Sequence, residues 1–174
     1  GWGGLAQVAA GQFKAFVKGV TLSKEQLVWA QQRVHTAGLD ERVQLVFQDY
    51  RELSAQHATT PFDAIVSIEM FEAVGQSYWP DYFAMLKQCL KPGAKACIQT
   101  ITIRDDLFDR YVQSTDFIQQ YIFPGGLLPS AKVFQKLAQE AGLQVIDTFR
   151  FGKDYAETLR RWRIQFLQDR KSVV

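Results

Sequence analysis

Two glutamates, Glu69 and Glu72, follow directly on an apolar run in the stretch FDAIVSIEMFEAVG. The run FDAIVSI is nearly continuous in apolar residues, which is typical of a strand covered on both faces. In open α/β sheets, ligands bind beyond the carboxyl ends of the strands. A carboxylate at such an end can hold a polar ligand or stabilise charge. The stretch is therefore a candidate site. Glu69 has two other possible roles: as a negative charge at a helix N-terminus, or as the partner of a nearby basic group.

The other predicted strand ends also carry glycine or polar side chains. They are Gly1, Trp2, Gly3 and Gly4; Thr21, Leu22 and Ser23; Gln48, Asp49 and Tyr50; and Gln99, Thr100 and Ile101. Each group has a simpler explanation: a tight turn for the glycines, a helix N-cap for Ser23, and a turn-forming acid beside a partly buried ring for Asp49 and Tyr50. Their occurrence at every strand end in order favours a ligand site.

The elements that position these residues alternate between strands and helices, which predicts an α/β fold with a mainly parallel sheet. The predicted strands are FKAFVKGVTL, RVQLVFQDY, FDAIVSIE, KACIQTITI and LQVIDTFRFG. The predicted helices are GLAQVAA, SKEQLVWAQQRVHTAG, YWPDYFAMLKQCLKPG, AKVFQKLAQEAG and DYAETLRRWRIQFLQDR. Ser23 with Gln26 forms a capping-box pattern at the start of the second helix. Between residues 104 and 130 lies an aromatic-rich insertion with a Pro-Gly-Gly turn.

Composition limits the alternatives. A length of 174 residues with 47% hydrophobic content predicts one domain over residues 1–174. The formal charge of +2 gives no argument for nucleic acid binding. The two cysteines match neither a metal spacing nor a disulfide framework, so we expect no metal site and a reduced, cytoplasmic setting. The chain has no phosphate-binding loop and no G-x-S-x-G nucleophile motif.

The chain resembles the S-adenosylmethionine-dependent methyltransferases of the cyclopropane-fatty-acyl-phospholipid synthase family. The resemblance lies in GWGG, TLSKEQ, QDYREL, VSIEMFEAVG, YWPDYF, LKPG, DFIQQYIFPGG and FGKDYAETLRRW, which occur in the family's order. It covers essentially the whole chain and implies a Rossmann-like class I methyltransferase fold. It also implies that the first strand, an N-terminal lid and the C-terminal end lie outside this sequence, which we therefore expect to be an internal fragment.

The resemblance implies a role for each site residue. S-adenosylmethionine would be bound by Gly1, Gly3, Thr21, Leu22, Ser23, Gln26, Asp49, Tyr50 and Ile68. The catalytic group would comprise Glu72, Gln99, Ile101 through its backbone and Tyr155 through its hydroxyl, with bicarbonate as a further ion held near the transferred methyl. The substrate would be the cis double bond of an unsaturated acyl chain on a phospholipid. The aromatic insertion and the face of Tyr155 and Trp162 suit an apolar acyl tunnel.

Three positions depart from the family pattern. Gln99 stands where the synthases usually have a histidine that helps bind bicarbonate, and glutamine takes up no proton at neutral pH. Glu69 stands where glycine is common, and Ala73 where histidine is common. These differences predict a synthase-like paralogue and leave open whether the product is a cyclopropane or a methylene- or methyl-branched chain.

Two other readings stay open: a methyltransferase for a small amine or carbon nucleophile, and a fragment that is catalytically incompetent. Residues 150–171 hold seven basic residues against three acidic ones. This excess predicts peripheral docking to anionic lipid at the inner membrane surface, unless it is an ordinary solvated helix face. A homodimer is also left open.

Overall fold

The computed structural model describes residues 1–57 and 59–169. These form two compact units, one spanning Gly1–Leu143 and the other comprising the described residues from Gln144 onward. The strands are β1 (Val17–Thr21), β2 (Val43–Phe47), β3 (Phe62–Ile68) and β4 (Leu90–Gln99). The helices are α1 (Gly4–Phe13), α2 (Lys24–Thr36), α3 (Leu53–His57), α4 (Trp79–Cys89), α5 (Phe108–Val112), α6 (Ala131–Glu140) and α7 (Gly152–Gln168). The assignment of one domain to residues 1–174 remains a prediction.

The strands pair in parallel, as the sequence predicts. In the described residues they form two pairs, β1 with β2 and β3 with β4. Thr21 lies opposite Phe47, and Ile68 lies opposite Gln99. Because the strands of each pair run in the same direction, their carboxyl ends meet at one edge. This pairing brings the residues after β3 next to those after β4.

Most of the core lies around α4 and the turn after β3. Phe71, Tyr82 and Cys89 are completely buried, and Trp79, Phe83 and Leu86 are nearly so. The Phe71 ring contacts the rings of Trp79, Tyr82, Phe83 and Phe134, with centroids 5.0–5.6 Å apart. A smaller cluster joins α1, α2 and β2 through Ala6, Ala10, Val34 and Val43. Phe71 belongs to this aromatic cluster and directly precedes Glu72 in the chain. The cluster therefore anchors the turn that carries Glu72.

Several predicted boundaries were wrong. The stretch LQVIDTFRFG forms no strand, and residues 143–151 have no ladder partner among the described residues. The strand predicted from residue 13 starts at Val17, because α1 continues to Phe13. The strand KACIQTITI ends at Gln99, after which Ile103 makes a single bridge to Ser130. Helix α4 ends at Cys89, and LKPG belongs to β4 instead.

Pro92 fits in β4 because the strand is irregular there. Phe62 pairs with Leu90, whereas Ala64 pairs with Lys95, so the pairing shifts past Pro92 and Gly93. Proline lacks the N–H that a regular ladder needs, and an irregularity of this kind removes that need. The regular pairing then runs to Ile68 and Gln99, where the candidate site begins.

The predicted aromatic insertion contains α5 and a π-helical turn at Ile118–Ile122. Phe117, Tyr121 and Phe123 are each about two-thirds exposed, at 65%, 64% and 67%. In the second unit, α7 confirms the last predicted helix. Across the described ranges, no helix has the length and apolar character required to span a bilayer.

Candidate active site

The Glu72 carboxylate is held by residues that follow β4. Glu72 lies in the short 3-10 turn Phe71–Ala73. Its Oε1 accepts a hydrogen bond from the Thr100 hydroxyl at 2.9 Å and another from the backbone N–H of Ile101. Its Oε2 is buried and has no hydrogen-bond partner among the described residues. One carboxylate oxygen is therefore fixed by the protein, and the other is available for a further contact.

Glu69 and Gln99 form a second pair at the same edge. Gln99 Nε2 donates to Glu69 Oε1 at 3.0 Å, and the Glu69 backbone N–H donates to the Gln99 carbonyl at 2.9 Å. Glu69 has φ of 49°, a left-handed conformation that costs a non-glycine residue free energy. The observed partner of Glu69 is thus an amide, rather than the basic group considered from the sequence.

The aromatic insertion is tied to the Glu72 backbone. The Leu127 N–H donates to the Glu72 carbonyl at 2.9 Å, and Gln119 Nε2 donates to the Gly126 carbonyl at 3.3 Å. Gly125 has φ of +81°, which the turn requires of a glycine. The exposed rings of Phe117, Tyr121 and Phe123 consequently lie on a segment that ends beside Glu72.

At the end of β1, the predicted residues form one hydrogen-bonded group. The Ser23 hydroxyl accepts from the Gln26 N–H at 3.1 Å, which confirms the predicted N-cap of α2. The Thr21 hydroxyl accepts from the Ser23 N–H and donates to Gln26 Oε1, both at 3.2 Å. The Leu22 side chain is exposed. This strand end therefore presents hydroxyl and amide groups at a helix N-terminus.

Gly3 allows the N-terminal turn to pack closely on α2. Its φ is +82°, and a Cβ at this position would lie 2.9 Å from the Ala30 Cβ. Only glycine therefore fits without displacing the helix. Gly1 is exposed, with open space around it. The turn thus passes beside α2, the same helix that Ser23 caps.

Asp49 and Tyr50, after β2, lie in different surroundings. Asp49 accepts from the Arg51 backbone N–H at 2.9 Å and from its guanidinium at 3.0 and 2.6 Å. The hydrogen bonds from the Arg51 side chain hold the pKa of Asp49 below its usual value. The Tyr50 ring packs edge-on against the Tyr82 ring. Burial raises the pKa of the Tyr50 hydroxyl. Both simpler explanations of these residues, a turn-forming acid and a partly buried ring, therefore hold in the structure.

The donors expected to bind bicarbonate are engaged with protein carboxylates. The Ile101 N–H donates to Glu72, and one N–H of Gln99 donates to Glu69. In this arrangement the Ile101 N–H and this N–H of Gln99 are not available to a bicarbonate ion. Ile68, at the end of β3, is 48% exposed at the same edge. Among the described residues no cluster of His, Cys, Asp or Glu could hold a metal.

Two predictions concern the second unit: the catalytic role of Tyr155 and the basic residues near the C-terminus. Tyr155 is in the first turn of α7, where its N–H donates to the Phe151 carbonyl at 3.0 Å. Its role with Glu72 stays a prediction. Of the basic residues near the C-terminus, Arg170 and Lys171 fall outside the described residues.

The sequence assigns no role to three hydroxyls of this region. Thr100 holds Glu72, Tyr82 lies on the buried face of α4 near the Glu72 charge, and Ser67 of β3 is a neighbour of Tyr82. Two features of the sequence indicate Ser67 and Tyr82: a serine inside the apolar run FDAIVSI, and a tyrosine instead of a phenylalanine on an apolar helix face.

Known proteins resemble this chain along its whole length. It is 44% identical over 173 residues to the tuberculostearic acid methyltransferase UfaA1 of Mycobacterium tuberculosis, covering 98% of this chain and 39% of that protein. It is 40% identical over 168 residues to the cyclopropane-fatty-acyl-phospholipid synthase of Escherichia coli K12, covering 96% and 40%. The chain thus spans about two fifths of the length of these curated relatives.

The fold has matching solved structures. The mycolic acid cyclopropane synthase CmaA1, crystallised with SAH and CTAB, superposes with a TM-score of 0.81 at 27% identity, covering 98% of this chain and 61% of that one. This likeness confirms the predicted class I methyltransferase fold. The family model described as mycolic acid cyclopropane synthetase matches residues 1–174. The chain therefore belongs to the mycolic acid cyclopropane synthetase family.

Proposed function

We propose that the protein containing this chain transfers a methyl group from S-adenosylmethionine to the double bond of an unsaturated lipid acyl chain. The observation that carries the proposal is the Glu72 carboxylate. One of its oxygens is held by Thr100 and Ile101, and the other is buried without a protein partner. In a chain of this family, such a carboxylate suits a site where positive charge develops on an apolar substrate.

The described residues fit S-adenosylmethionine in chemical type. Gly3 lets the N-terminal turn run close to α2, where a Cβ would collide with Ala30. Thr21, Ser23 and Gln26 present hydroxyl and amide groups at the start of that helix. We assign the ribose and methionine parts of the cofactor to these residues together with Gly1 and Leu22, and the adenine to Asp49 and Tyr50. Ile68 is assigned a place beside the cofactor. When bound, the cofactor supplies an electrophilic methyl group on sulfur.

The residues of the protein stabilise the positive charge that develops on the substrate, and the pocket limits the access of water. An alkene that takes up the methyl group becomes a carbocation, while the electron pair of the broken C–S bond stays on sulfur. A basic group then accepts a proton from the added methyl, which closes a cyclopropane or, after a hydride shift, leaves a methylene branch. Glu72 is the carboxylate assigned to stabilise that cation, because its position is fixed before the reaction. A water-poor pocket strengthens this attraction, since the effective dielectric constant is lower there. Tyr155 is assigned to the same group by family resemblance alone.

An acyl chain is favoured as substrate by the segment beside Glu72. Phe117, Ile118, Tyr121, Ile122 and Phe123 are all about half to two-thirds exposed, at 49–67%. Their segment returns to Glu72 through the Leu127 hydrogen bond. The names of the relatives, a tuberculostearic acid methyltransferase and a cyclopropane-fatty-acyl-phospholipid synthase, support a fatty acyl substrate. The choice between cyclopropane and branched products stays open within the proposal.

The test uses the complete protein that contains this chain. It is incubated with S-adenosylmethionine labelled in the methyl group and with vesicles whose phospholipids carry cis-unsaturated or fully saturated acyl chains. We expect label in the unsaturated lipid only, and mass spectrometry of the released acyl chains identifies the product. Small amines serve as the competing substrate class. Labelling of amines without labelling of lipid would overturn the proposal.

A further inference from the structure

Four polar atoms are buried together beneath the site without hydrogen-bond partners among the described residues. They are Tyr82 Oη, Tyr50 Oη, Ser67 Oγ and Glu72 Oε2. Tyr82 is completely buried, so its hydroxyl has no access to bulk water. Buried polar groups are nearly always hydrogen-bonded, and an unpaired one costs free energy. Their concentration at one place indicates a polar network around the second oxygen of Glu72.

The geometry brings the members of this network into reach of one another. The Tyr50 and Tyr82 rings are 5.7 Å apart and edge-on, and Tyr82 packs at 5.0 Å on Phe71, the residue before Glu72. The hydroxyls of Tyr82 and Ser67 are close enough to affect the pKa of Tyr82, although they do not meet hydrogen-bond geometry. Ser67, Glu72 and Tyr50 are therefore all neighbours of Tyr82 in the core.

The protonation states decide the direction of the bonds. Burial raises the pKa of Tyr82 to about 12, the Ser67 hydroxyl partly offsets this, and the charges of Glu72 and Tyr50 add to it. The phenol is consequently a donor at neutral pH, whereas an ionised carboxylate only accepts. The titratable groups acting on Tyr82 are Glu72 and Tyr50. Those acting on Tyr50 are Asp49, Arg51, Tyr78 and Asp81.

We propose that Tyr82 is a positioning residue for Glu72, whose Oε2 accepts a hydrogen bond from the Tyr82 hydroxyl, directly or through Ser67. With Oε1 held by Thr100 and Ile101, the carboxylate is then fixed at both oxygens. Because a carboxylate oxygen can accept more than one hydrogen bond, Oε2 keeps its negative charge and a further acceptor position for the substrate. The catalytic part of this inference rests on the proposed function, whereas the hydrogen bond itself does not.

The first test measures the carboxyl group itself in the complete protein. Carbon-detected NMR with labelled glutamate at neutral pH records the carboxyl signal of Glu72, which is identified by its loss in Glu72→Gln. In Tyr82→Phe the ring is kept and the hydrogen-bond donor is removed, so the chemical shift of the Glu72 carboxyl carbon should change. The matched control is Tyr78→Phe, which removes the hydroxyl of a residue that is 45% exposed and should leave the Glu72 signal unchanged. Ser67→Ala should cause a smaller change and serves if Tyr82→Phe folds poorly.

The second test measures turnover with labelled S-adenosylmethionine and unsaturated vesicles. Tyr82→Phe should lower kcat about tenfold and leave KM for the cofactor unchanged. An unchanged Glu72 carboxyl signal together with unchanged kcat in Tyr82→Phe overturns the inference. If the wild-type protein methylates no lipid, the proposed function fails, and the NMR measurement still decides whether Tyr82 bonds to Glu72.

Discussion

Thr100 and Glu72, which are 28 residues apart in the chain, meet across the carboxyl edge of β3 and β4 in a 2.9 Å hydrogen bond. The Ile101 N–H donates to the same carboxylate oxygen. The parallel register that sets Ile68 opposite Gln99 brings the two segments together. The position of the candidate catalytic carboxylate therefore depends on strand pairing, and each part of that arrangement can be altered separately.

Thr100→Val should reduce turnover about tenfold, because it removes one hydrogen bond from Glu72 Oε1 and leaves the shape of the side chain nearly unchanged. The measurement is methyl transfer by the complete protein from labelled S-adenosylmethionine. Thr102→Val is the matched control, since Thr102 is exposed and follows the site in sequence. Equal activity of Thr100→Val and wild type would show that the Ile101 N–H alone holds the carboxylate.

Glu72→Gln should lower kcat by roughly a hundredfold or more, since it removes the negative charge assigned to stabilise the cation. Cofactor affinity should stay the same, because Glu72 is assigned to the reacting part of the substrate. Calorimetric titration with S-adenosylmethionine and a turnover assay separate the two effects. Full turnover in Glu72→Gln would show that the carboxylate has another role.

Glu69→Gly and Glu69→Ala should differ in stability. Both remove the acceptor for Gln99, but only glycine relieves the left-handed conformation at φ of 49°. The free energy of unfolding of Glu69→Gly should therefore exceed that of Glu69→Ala by about 1 kcal/mol. Chemical denaturation of the complete protein measures the difference. Equal stabilities would mean that the backbone changes conformation when the carboxylate is removed.

Asp49→Asn should destabilise the protein at neutral pH by less than about 1 kcal/mol, because its pair with Arg51 is only partly shielded from solvent. Hydrogen bonds from Arg51 lower the folded-state pKa of Asp49 below the unfolded value of about 3.9. The contribution is thus fully present above about pH 4 and is lost as the pH falls through the lower folded pKa.

Denaturation curves of wild type and Asp49→Asn at a series of pH values measure this contribution to the free energy of unfolding. The stabilities of the two proteins should converge at acid pH. Asparagine keeps the N-cap, so the comparison isolates the charge. Asp63→Asn is the control, since the Asp63 side chain is 87% exposed and its bond to Lys91 is more strongly screened. A difference for Asp49→Asn that persists at the lowest pH would assign the effect to packing.

Glu157→Gln should strengthen binding to anionic vesicles if α7 docks on lipid. Glu157 pairs with both Arg160 and Arg161, at 2.6 and 2.8 Å, and these bonds lower its pKa. Removing its charge frees two cations on a helix whose Trp162 is 58% exposed. Co-sedimentation of the complete protein with vesicles at two salt concentrations measures the effect. The charge reversal Arg160/Arg161/Arg163→Glu is the opposite control, and equal binding by all three proteins would reject docking.

Local features of the fold were predictable because their causes are local. The Ser23 cap, helix α2 and the predicted helix at α6 depend on contacts within a few residues. The stretch 143–151 shows the limit of such reasoning. Its apolar pattern suits a strand, but a strand also needs a ladder partner, and none lies in the described ranges.

For the candidate site, the sequence by itself determined which chemistry the strand ends carry: carboxylates after β3, and amide and hydroxyl groups after β1 and β4. The tertiary structure alone decided the partners. It brought Glu72 to Thr100 and Ile101, paired Glu69 with Gln99, and buried Tyr82 where the Glu72 charge acts on it. The physical reason is that a hydrogen bond requires two groups within about 3 Å. For groups distant in the chain, that separation is set by strand register and core packing.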